Sequence, residues 1–346
     1  MALIKTISTS TAWILVSVAA AQAEQLVVNS YGGPYEKIIY ERIIEPFEKK
    51  TGIKVIYDSV GSSSQDYAKI KATGGRPGFD VVVMTASQSL EGCRDGLLTK
   101  YSPENVPNMI KISPAISKIA GDCGAVHELQ YLSLVWRMDK LKSAPTSWSA
   151  LLEPELKGKV VLPTFENIMA AYLVQVMSKM NGGDLLENVD SGFRAMADVS
   201  RQSVGFEQSS AIMEAHIKDG DVWAMPFWNG RAQLLADNGV PVDYTIPKEG
   251  TIPLIATLNV PIGAENKPAA LKFVDFFLEK TSQEAWVTGY KVGSARTDIQ
   301  VPDDVRAKQI TTEEDLKKLL LPDLSATAAK LREWSSRWDR EVVQAN

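Results

Sequence analysis

The sequence predicts an α/β protein of two lobes, each a mainly parallel sheet flanked by helices, joined by crossing hinge segments. Three observations lead to this prediction. Strand-like runs alternate with amphipathic helical runs, which is typical of parallel sheets covered on both faces. The chain has 346 residues, more than a single hydrophobic core usually contains. Two extended runs, 132–137 and 251–260, are expected to leave the first lobe and return to it, and such crossings can hinge with small backbone changes.

The N-terminal third of the chain has a β-α-β-α-β order. Its three predicted strands are Gln25–Asn29, 54–57 and 80–84. Between the first two strands, a predicted helix over 34–50 carries Ile39, Ile43 and Phe47 at the four-residue spacing of an apolar stripe. Serines at 62–64 offer hydroxyl caps to a second helix. Parallel pairing of the three strands would build the first lobe.

The same architecture recurs further along, without a repeat in the sequence. Strands are predicted over 159–162 and 221–225, and helices over 167–180 and after residue 228. The charge-rich stretch 311–343 is predicted to be a helical packing arm. The predicted division is a signal sequence at 1–23, a discontinuous first lobe at 24–134 and about 254–300, a second lobe at 135–253 and a C-terminal helical arm at 301–346.

The first 23 residues have the layout of a secretory signal. Lys5 supplies a positive start, 12–21 is an apolar stretch, and Ala21-Gln22-Ala23 is a small-x-small cleavage site. The alternative is an N-terminal core helix, which would show polar residues at helical spacing. The signal predicts a mature chain that starts at Glu24 and works in the periplasm.

Composition narrows the classes of function. Hydrophobic residues make up 45% and charged residues 23% of the chain, as in ordinary globular proteins. The net charge of −5 argues against nucleic acid, because nucleic-acid binding requires clustered Lys and Arg. After the signal, no apolar run is long enough to cross a membrane.

The chain has two cysteines, Cys93 and Cys123. In an oxidising compartment an even pair predicts a disulfide, which would stabilise the fold by about 3–4 kcal/mol. The alternative is two buried thiols. Because the C-x-x-C spacing is absent, a metal site at these cysteines is not expected.

No catalytic constellation is visible in the sequence. The nucleophile-elbow and phosphate-loop motifs are absent. His127-Glu128 opens like a zinc-helix motif, but Tyr131 stands where the second His is required. With only His127 and His216 in the chain, His-based acid–base chemistry has few candidates. We therefore expect no enzyme activity, no cofactor and no metal.

Seven short motifs occur in a fixed order between residues 25 and 300. They are FEKKTGIKV at 47–55, DVVV at 80–83, PTSW at 145–148, LKGKV at 156–160, WNG at 228–230, PKEG at 247–250 and AENK at 264–267. This series resembles that of periplasmic solute-binding proteins of ABC importers, of the spermidine/putrescine type. The resemblance implies that a ligand in the cleft favours closure of two α/β lobes, and that the protein delivers its ligand to an inner-membrane ABC permease.

Ligands of open α/β sheets bind beyond the carboxyl ends of the strands. The loops at those ends, with the segment near residue 290, supply the candidates. The candidate ligand-binding residues are Ser30, Tyr31, Gly32, Gly33, Thr85, Ser87, Glu166, Trp228, Asn229, Arg231, Thr257, Tyr290 and Arg296. By resemblance, Trp228 matches a cleft tryptophan of the family, and Tyr290 falls near a family tyrosine.

The acidic ligand residues of the polyamine members do not match. Leu254 and Ala256 stand where the resemblance implies a Trp and an Asp, and Phe165 and Ile168 stand where it implies an acidic pair. Glu166 can substitute only if its side chain turns inward.

Other residues suggest an anionic group on the ligand. Arg231 and Arg296 can bind a carboxylate or phosphonate in two-pronged fashion, and the backbone of Gly32-Gly33 can face an anion. The alternatives are a plain tight turn at the glycines and a solvated helix face for Arg231.

The sequence therefore predicts a monomeric periplasmic receptor for a small polar solute, an amine that bears a carboxylate or phosphonate and is amino-acid-like or opine-like. A true putrescine or spermidine receptor is the alternative. A ferric-ion binder and an exported hydrolase are weaker alternatives, because adjacent tyrosines and a catalytic pair are missing.

Overall fold

The computed structural model describes residues 25–59 and 62–346, so the predicted signal sequence lies outside the described residues. The strands are β1 Gln25–Asn29, β2 Lys54–Asp58, β3 Val81–Thr85, β4 Ala125–Arg137, β5 Val161–Pro163, β6 Gly205–Glu207, β7 Ala224–Trp228, β8 Val242–Thr245 and β9 Pro253–Asn259. The α-helices are α1 Pro34–Ile39, α2 Glu45–Thr51, α3 Ser63–Ala72, α4 Ala86–Arg94, α5 Pro114–Ala120, α6 Ile168–Met180, α7 Asp190–Ser200, α8 Ser210–Asp219, α9 Asn229–Asp237, α10 Lys267–Phe277, α11 Lys280–Tyr290, α12 Asp303–Arg306, α13 Glu313–Leu316 and α14 Leu324–Arg337.

The first part of the sheet has the predicted parallel core. Strand β1 pairs in parallel with β2 on one side and β3 on the other. The helical run between β1 and β2 is interrupted by a π-helical turn, Tyr40–Ile44, which separates α1 from α2. Gly52 ends α2 in the left-handed region, at a φ of 75°, which glycine adopts without steric cost.

Strand β4 crosses between the two parts of the sheet. Residues Ala125 to Tyr131 pair with β9, whereas Leu132 to Arg137 pair with β7 and β8. The predicted crossing runs are therefore strands within one continuous sheet. Their pairings are antiparallel, so the sheet is mixed rather than mainly parallel in this region. The partner change lies close to the predicted boundary at residue 134, and the lobe limits themselves stay predictions.

The second part of the fold is built around buried elements. Strands β5 and β6 pair in parallel, and Val160 forms a parallel bridge to Ala224 of β7. Helix α6 is buried over ten consecutive positions, residues 169–178. A helix that is apolar on nearly all sides belongs in a core, which agrees with the apolar run predicted at 167–180.

The C-terminal arm packs against this second part. Gln175 on α6 donates a buried hydrogen bond to Thr327 Oγ1 on α14, at 3.1 Å. Arg337 pairs with Asp190 at the start of α7, at 2.9 Å. These contacts hold α14 against α6 and α7. Helix α14 can therefore form one wall of a cleft beside these two helices.

The predicted disulfide between Cys93 and Cys123 is confirmed, with an S–S distance of 2.03 Å. It joins the C-terminal end of α4 to the segment before β4, closing a sequence separation of 30 residues. Within the described residues, no helix has both the length and the apolar character required to cross a membrane.

Candidate functional site

A cleft of about 770 Å³ lies where the two parts of the fold meet. One wall comes from the segments after β1 and β3, the facing wall from the start of α6, and a third from α14. The residues that line it are Tyr31, Ser62, Ser63, Ser64, Thr85, Ser87, Gln88, Glu91, Glu166, Asn167, Ile168, Tyr172, Gln208, Leu254, Leu324, Thr327, Ala328 and Leu331.

Hydroxyl groups dominate the first wall. Ser63 Oγ lies 2.9 Å from the Tyr31 hydroxyl and accepts a hydrogen bond from the Thr85 N–H at 3.2 Å. Thr85 Oγ1 lies 2.9 Å from Ser87 Oγ. These bonds hold the segments after β1 and β3 together and present several hydroxyls to the cleft.

Three helices begin at the cleft. Ser62, Thr85 and Asn167 are the N-cap residues of α3, α4 and α6, and all three line it. A helix N-terminus carries partial positive charge and favours an anionic group. The charged side chains that line the cleft are negative, opposite in sign to the helix N-termini. Within the described part of the chain they are Glu91 and Glu166, and no Lys or Arg lines the cleft.

An aromatic cluster extends from Tyr31 into the protein. The ring of Tyr35 meets those of Tyr31, Trp286 and Tyr290 edge-on, at centroid distances of 5.2, 4.9 and 5.2 Å. Trp286 and Tyr290 stack at 5.0 Å. Burial raises the pKa of Tyr31 to about 12, so its hydroxyl stays protonated and can donate a hydrogen bond at neutral pH.

Beside this cluster lies a buried carboxylate, Glu128, which is 2% exposed. Burial raises its pKa to about 7. Neighbouring His127 is fully buried, and burial lowers its pKa to about 3, so the imidazole is neutral. His127 Nε2 lies 3.0 Å from the Tyr35 hydroxyl. Sequence reasoning considered Glu128 only as part of a failed zinc motif, although an acid in an apolar strand was a usable signal.

Four predicted site residues line the cleft: Tyr31, Thr85, Ser87 and Glu166. The side chain of Glu166 is exposed at its mouth. Tyr290 lies in the aromatic cluster behind Tyr31. Their contact with a ligand stays a prediction.

The Trp228-Asn229 motif lies behind the facing wall, which is formed by the start of α6. Trp228 is 8% exposed and meets Tyr172, a lining residue, edge-on at 6.2 Å. Asn229 is fully buried. Its side-chain amide is satisfied there, since it accepts a hydrogen bond from the Tyr131 N–H at 2.9 Å and donates one to Gln309 Oε1 at 2.7 Å. Trp228 therefore supports Tyr172 in the wall formed by α6, whereas the side chain of Asn229 connects α9 to β4.

The two predicted arginines are not among the residues that line the cleft, and their binding of an anionic group stays a prediction. Arg231 pairs with Glu214 at 3.0 Å. Arg296 is buried and donates to the carbonyl of Leu278 at 2.8 Å, while Asp298 accepts from the other side of the guanidinium. Both guanidinium groups already have carboxylate partners, so we leave them out of the proposed site.

The remaining predicted residues do not line the cleft and form hydrogen bonds or a turn next to it. Ser30 is buried, and its N–H donates to the Asp58 carbonyl at 2.9 Å. Thr257 is buried, and its hydroxyl donates to the Met84 carbonyl at 3.1 Å, which ties β9 to β3. Gly32 and Gly33 are exposed beside the first wall, and Gly33 has a φ of 68° that favours glycine.

Residues 42–313 match the family of bacterial extracellular solute-binding proteins. The spermidine/putrescine-binding periplasmic protein of Escherichia coli is 25% identical over 307 residues, covering 85% of this chain and 82% of that protein. The gamma-aminobutyric acid-binding protein of Pseudomonas aeruginosa is 25% identical over 276 residues, covering 78% and 76%.

The fold is also found in solved structures. A putative extracellular solute-binding protein from Bordetella parapertussis superposes with a TM-score of 0.80 at 18% identity, covering 92% of this chain and 99% of that one. These matches confirm the two-lobed α/β fold class predicted from the sequence. Together with the match over most of its length, they show that this chain belongs to the bacterial extracellular solute-binding protein family.

Proposed function

We propose that this chain is the periplasmic substrate-binding component of an ABC importer, and that its solute carries an ammonium group together with a carboxylate. The observation that carries the proposal is the charge of the cleft. Glu91 and Glu166 line it, and no Lys or Arg among the described residues does. Since opposite charges attract, such a lining draws a cationic group into the cleft.

The hydroxyl wall provides for the second group. Ser63, Thr85 and Ser87 can donate hydrogen bonds to a carboxylate, and the starts of α3 and α4 favour negative charge at the same wall. An amino-acid-like or opine-like solute combines both groups, and a phosphonate in place of the carboxylate fits the same donors. The Pseudomonas aeruginosa relative is named for such a compound, gamma-aminobutyric acid.

A true polyamine is the second candidate. The acidic lining favours it as well, and the Escherichia coli relative is named for spermidine and putrescine. Against it stands Leu254, an apolar residue at a cleft position where the resemblance implies an aromatic one.

The proposal also covers export, closure and delivery of the solute. The predicted signal sequence would direct the chain to the periplasm, where it would act as a monomer. Closure around the solute would present both lobes to an inner-membrane permease. The solute would leave chemically unchanged.

Three four-carbon compounds test the proposal by calorimetry on protein stripped of ligand by unfolding and refolding. They are gamma-aminobutyrate, putrescine and succinate, which differ only in their end groups. We expect binding of gamma-aminobutyrate, weaker binding of putrescine and none of succinate. A bound ligand at 100 times its Kd also stabilises the folded protein by about 2.7 kcal/mol. Preferred binding of succinate, or no response to either amine, would contradict the proposal.

A further inference from the structure

Glu128 has an unused hydrogen-bond acceptor. Its Oε1 accepts from Gln130 Nε2 at 2.7 Å. Its Oε2 is buried without a hydrogen-bond partner among the described residues. The Trp286 indole lies close enough to lower the pKa of Glu128, but its Nε1 does not meet hydrogen-bond geometry and is unpaired too. A buried acceptor without a donor is unfavourable, so this oxygen would be stabilised by a donor that a bound solute supplies.

Aromatic residues connect this oxygen to the cleft. His127 Nε2 lies 3.9 Å from Glu128 Oε2 and 3.0 Å from the Tyr35 hydroxyl, and the ring of Tyr35 meets those of Tyr31 and Tyr290. Burial, and after it the negative charge of Glu128, raises the pKa values of Tyr31, Tyr35 and Tyr290, while the charge of Arg231 lowers the pKa of Tyr290. Tyr31 lines the cleft, and Tyr290 is half-buried. The faces of aromatic rings attract ammonium groups. A carboxylate behind such rings adds Coulombic attraction in a region of low dielectric.

The backbone places Glu128 between the two parts of the fold. The pairing of β4 with β9 is irregular between Val126 and Glu128, and such bulges often re-aim side chains at binding sites. Gln130 is two residues further along the strand. A Cβ atom at Gly230, just after Trp228, would lie 3.0 Å from Gln130 Oε1. The Glu128–Gln130 pair therefore links the Tyr31 side of the cleft to the Trp228 motif on the other side.

We propose that Glu128, with the rings of Tyr31 and Tyr290, binds the ammonium group of the solute at the base of the cleft. This inference rests on the proposed function, since it requires an amine-bearing solute. An ammonium group supplies the missing donor to Oε2 and contacts both lobes at the crossing strand. The carboxylate of the solute then points outward, toward the hydroxyl wall.

The test is the variant Glu128→Gln, which keeps the shape of the side chain and removes its charge. The probes are gamma-aminobutyrate and putrescine, measured by calorimetry. Loss of a charge-assisted hydrogen bond is expected to weaken amine binding about 10- to 100-fold. Glu333→Gln, the same change at an exposed position of α14, is the matched control and is expected to leave the affinity within about twofold of wild type. The melting temperature of ligand-free Glu128→Gln should equal or exceed that of wild type.

The outcomes separate this inference from the proposed function. Wild-type affinity for the amines in Glu128→Gln would overturn the inference and leave the proposed function standing. Loss of amine binding together with a lower melting temperature would also overturn it, because the carboxylate would then be structural. If wild type binds neither amine, both proposals fail. Should Glu128→Gln not fold, Tyr290→Leu replaces it, with an expected loss of about 3- to 30-fold in amine affinity; unchanged affinity there overturns the inference.

Discussion

Replacing Glu128 by Gln is expected to stabilise the ligand-free protein above neutral pH. Burial raises the pKa of Glu128 from 4.5 to about 7, so the folded protein binds a proton there that the unfolded chain has released. This proton makes the folded state relatively more stable at low pH, and the advantage is lost as the pH rises from 4.5 through 7. Since one pKa unit corresponds to about 1.4 kcal/mol, the ionised carboxylate destabilises the fold by about 3 kcal/mol at pH 8.

Urea unfolding of wild type and Glu128→Gln at pH 5, 6, 7 and 8 measures this effect. The difference in free energy of unfolding should be small at pH 5 and grow toward about 3 kcal/mol in favour of the variant at pH 8. His127 acts in the opposite direction, because its lowered pKa removes stability as the pH falls below 6.5. Both proteins retain His127, so its contribution cancels in the comparison. A difference that does not change with pH, or a variant less stable at pH 8, would refute the reasoning.

Three further predictions concern residues outside the cleft lining. Replacing Cys93 and Cys123 by Ser should lower the free energy of unfolding by about 3–4 kcal/mol in urea titrations, and an unchanged midpoint would show that the disulfide contributes nothing. Arg231→Gln should leave the calorimetric affinity for gamma-aminobutyrate within about threefold of wild type, since Glu214 holds the guanidinium; a larger loss would restore Arg231 to the site. Arg296→Gln should destabilise the fold by about 3 kcal/mol while amine affinity stays within about twofold of wild type, and the reverse pattern would contradict its structural role.

The fold was largely predictable because its signals are local. The run of valines at 81–83 and the apolar helix at 168–180 bury nearly every side chain, and such runs stand out in a sequence. The crossing strands were also visible as extended runs. Their antiparallel pairing was not, because strand direction depends on where distant segments return, as β9 does between β3 and β4.

The cleft was less predictable because it depends on side-chain partners. The guanidinium of Arg231 binds Glu214, 17 residues away, and nothing in the spacing identifies that pair. Asp298 lies only two residues after Arg296, so that pair is visible in the sequence. Glu128 became a candidate only when the structure left its Oε2 without a donor. Helix α14 was expected to pack on the lobes, but its contribution of Leu324 and Leu331 to the cleft follows from tertiary packing alone.

The most direct measurement is a crystal structure of the protein grown with gamma-aminobutyrate, or with putrescine if calorimetry shows it to bind more tightly. We predict that the compound lies in the 770 Å³ cleft and contacts both the segments after β1 and β3 and the start of α6. Its ammonium nitrogen should lie within about 3 Å of Glu128. A compound bound outside the cleft, or held by one lobe alone, would contradict this account.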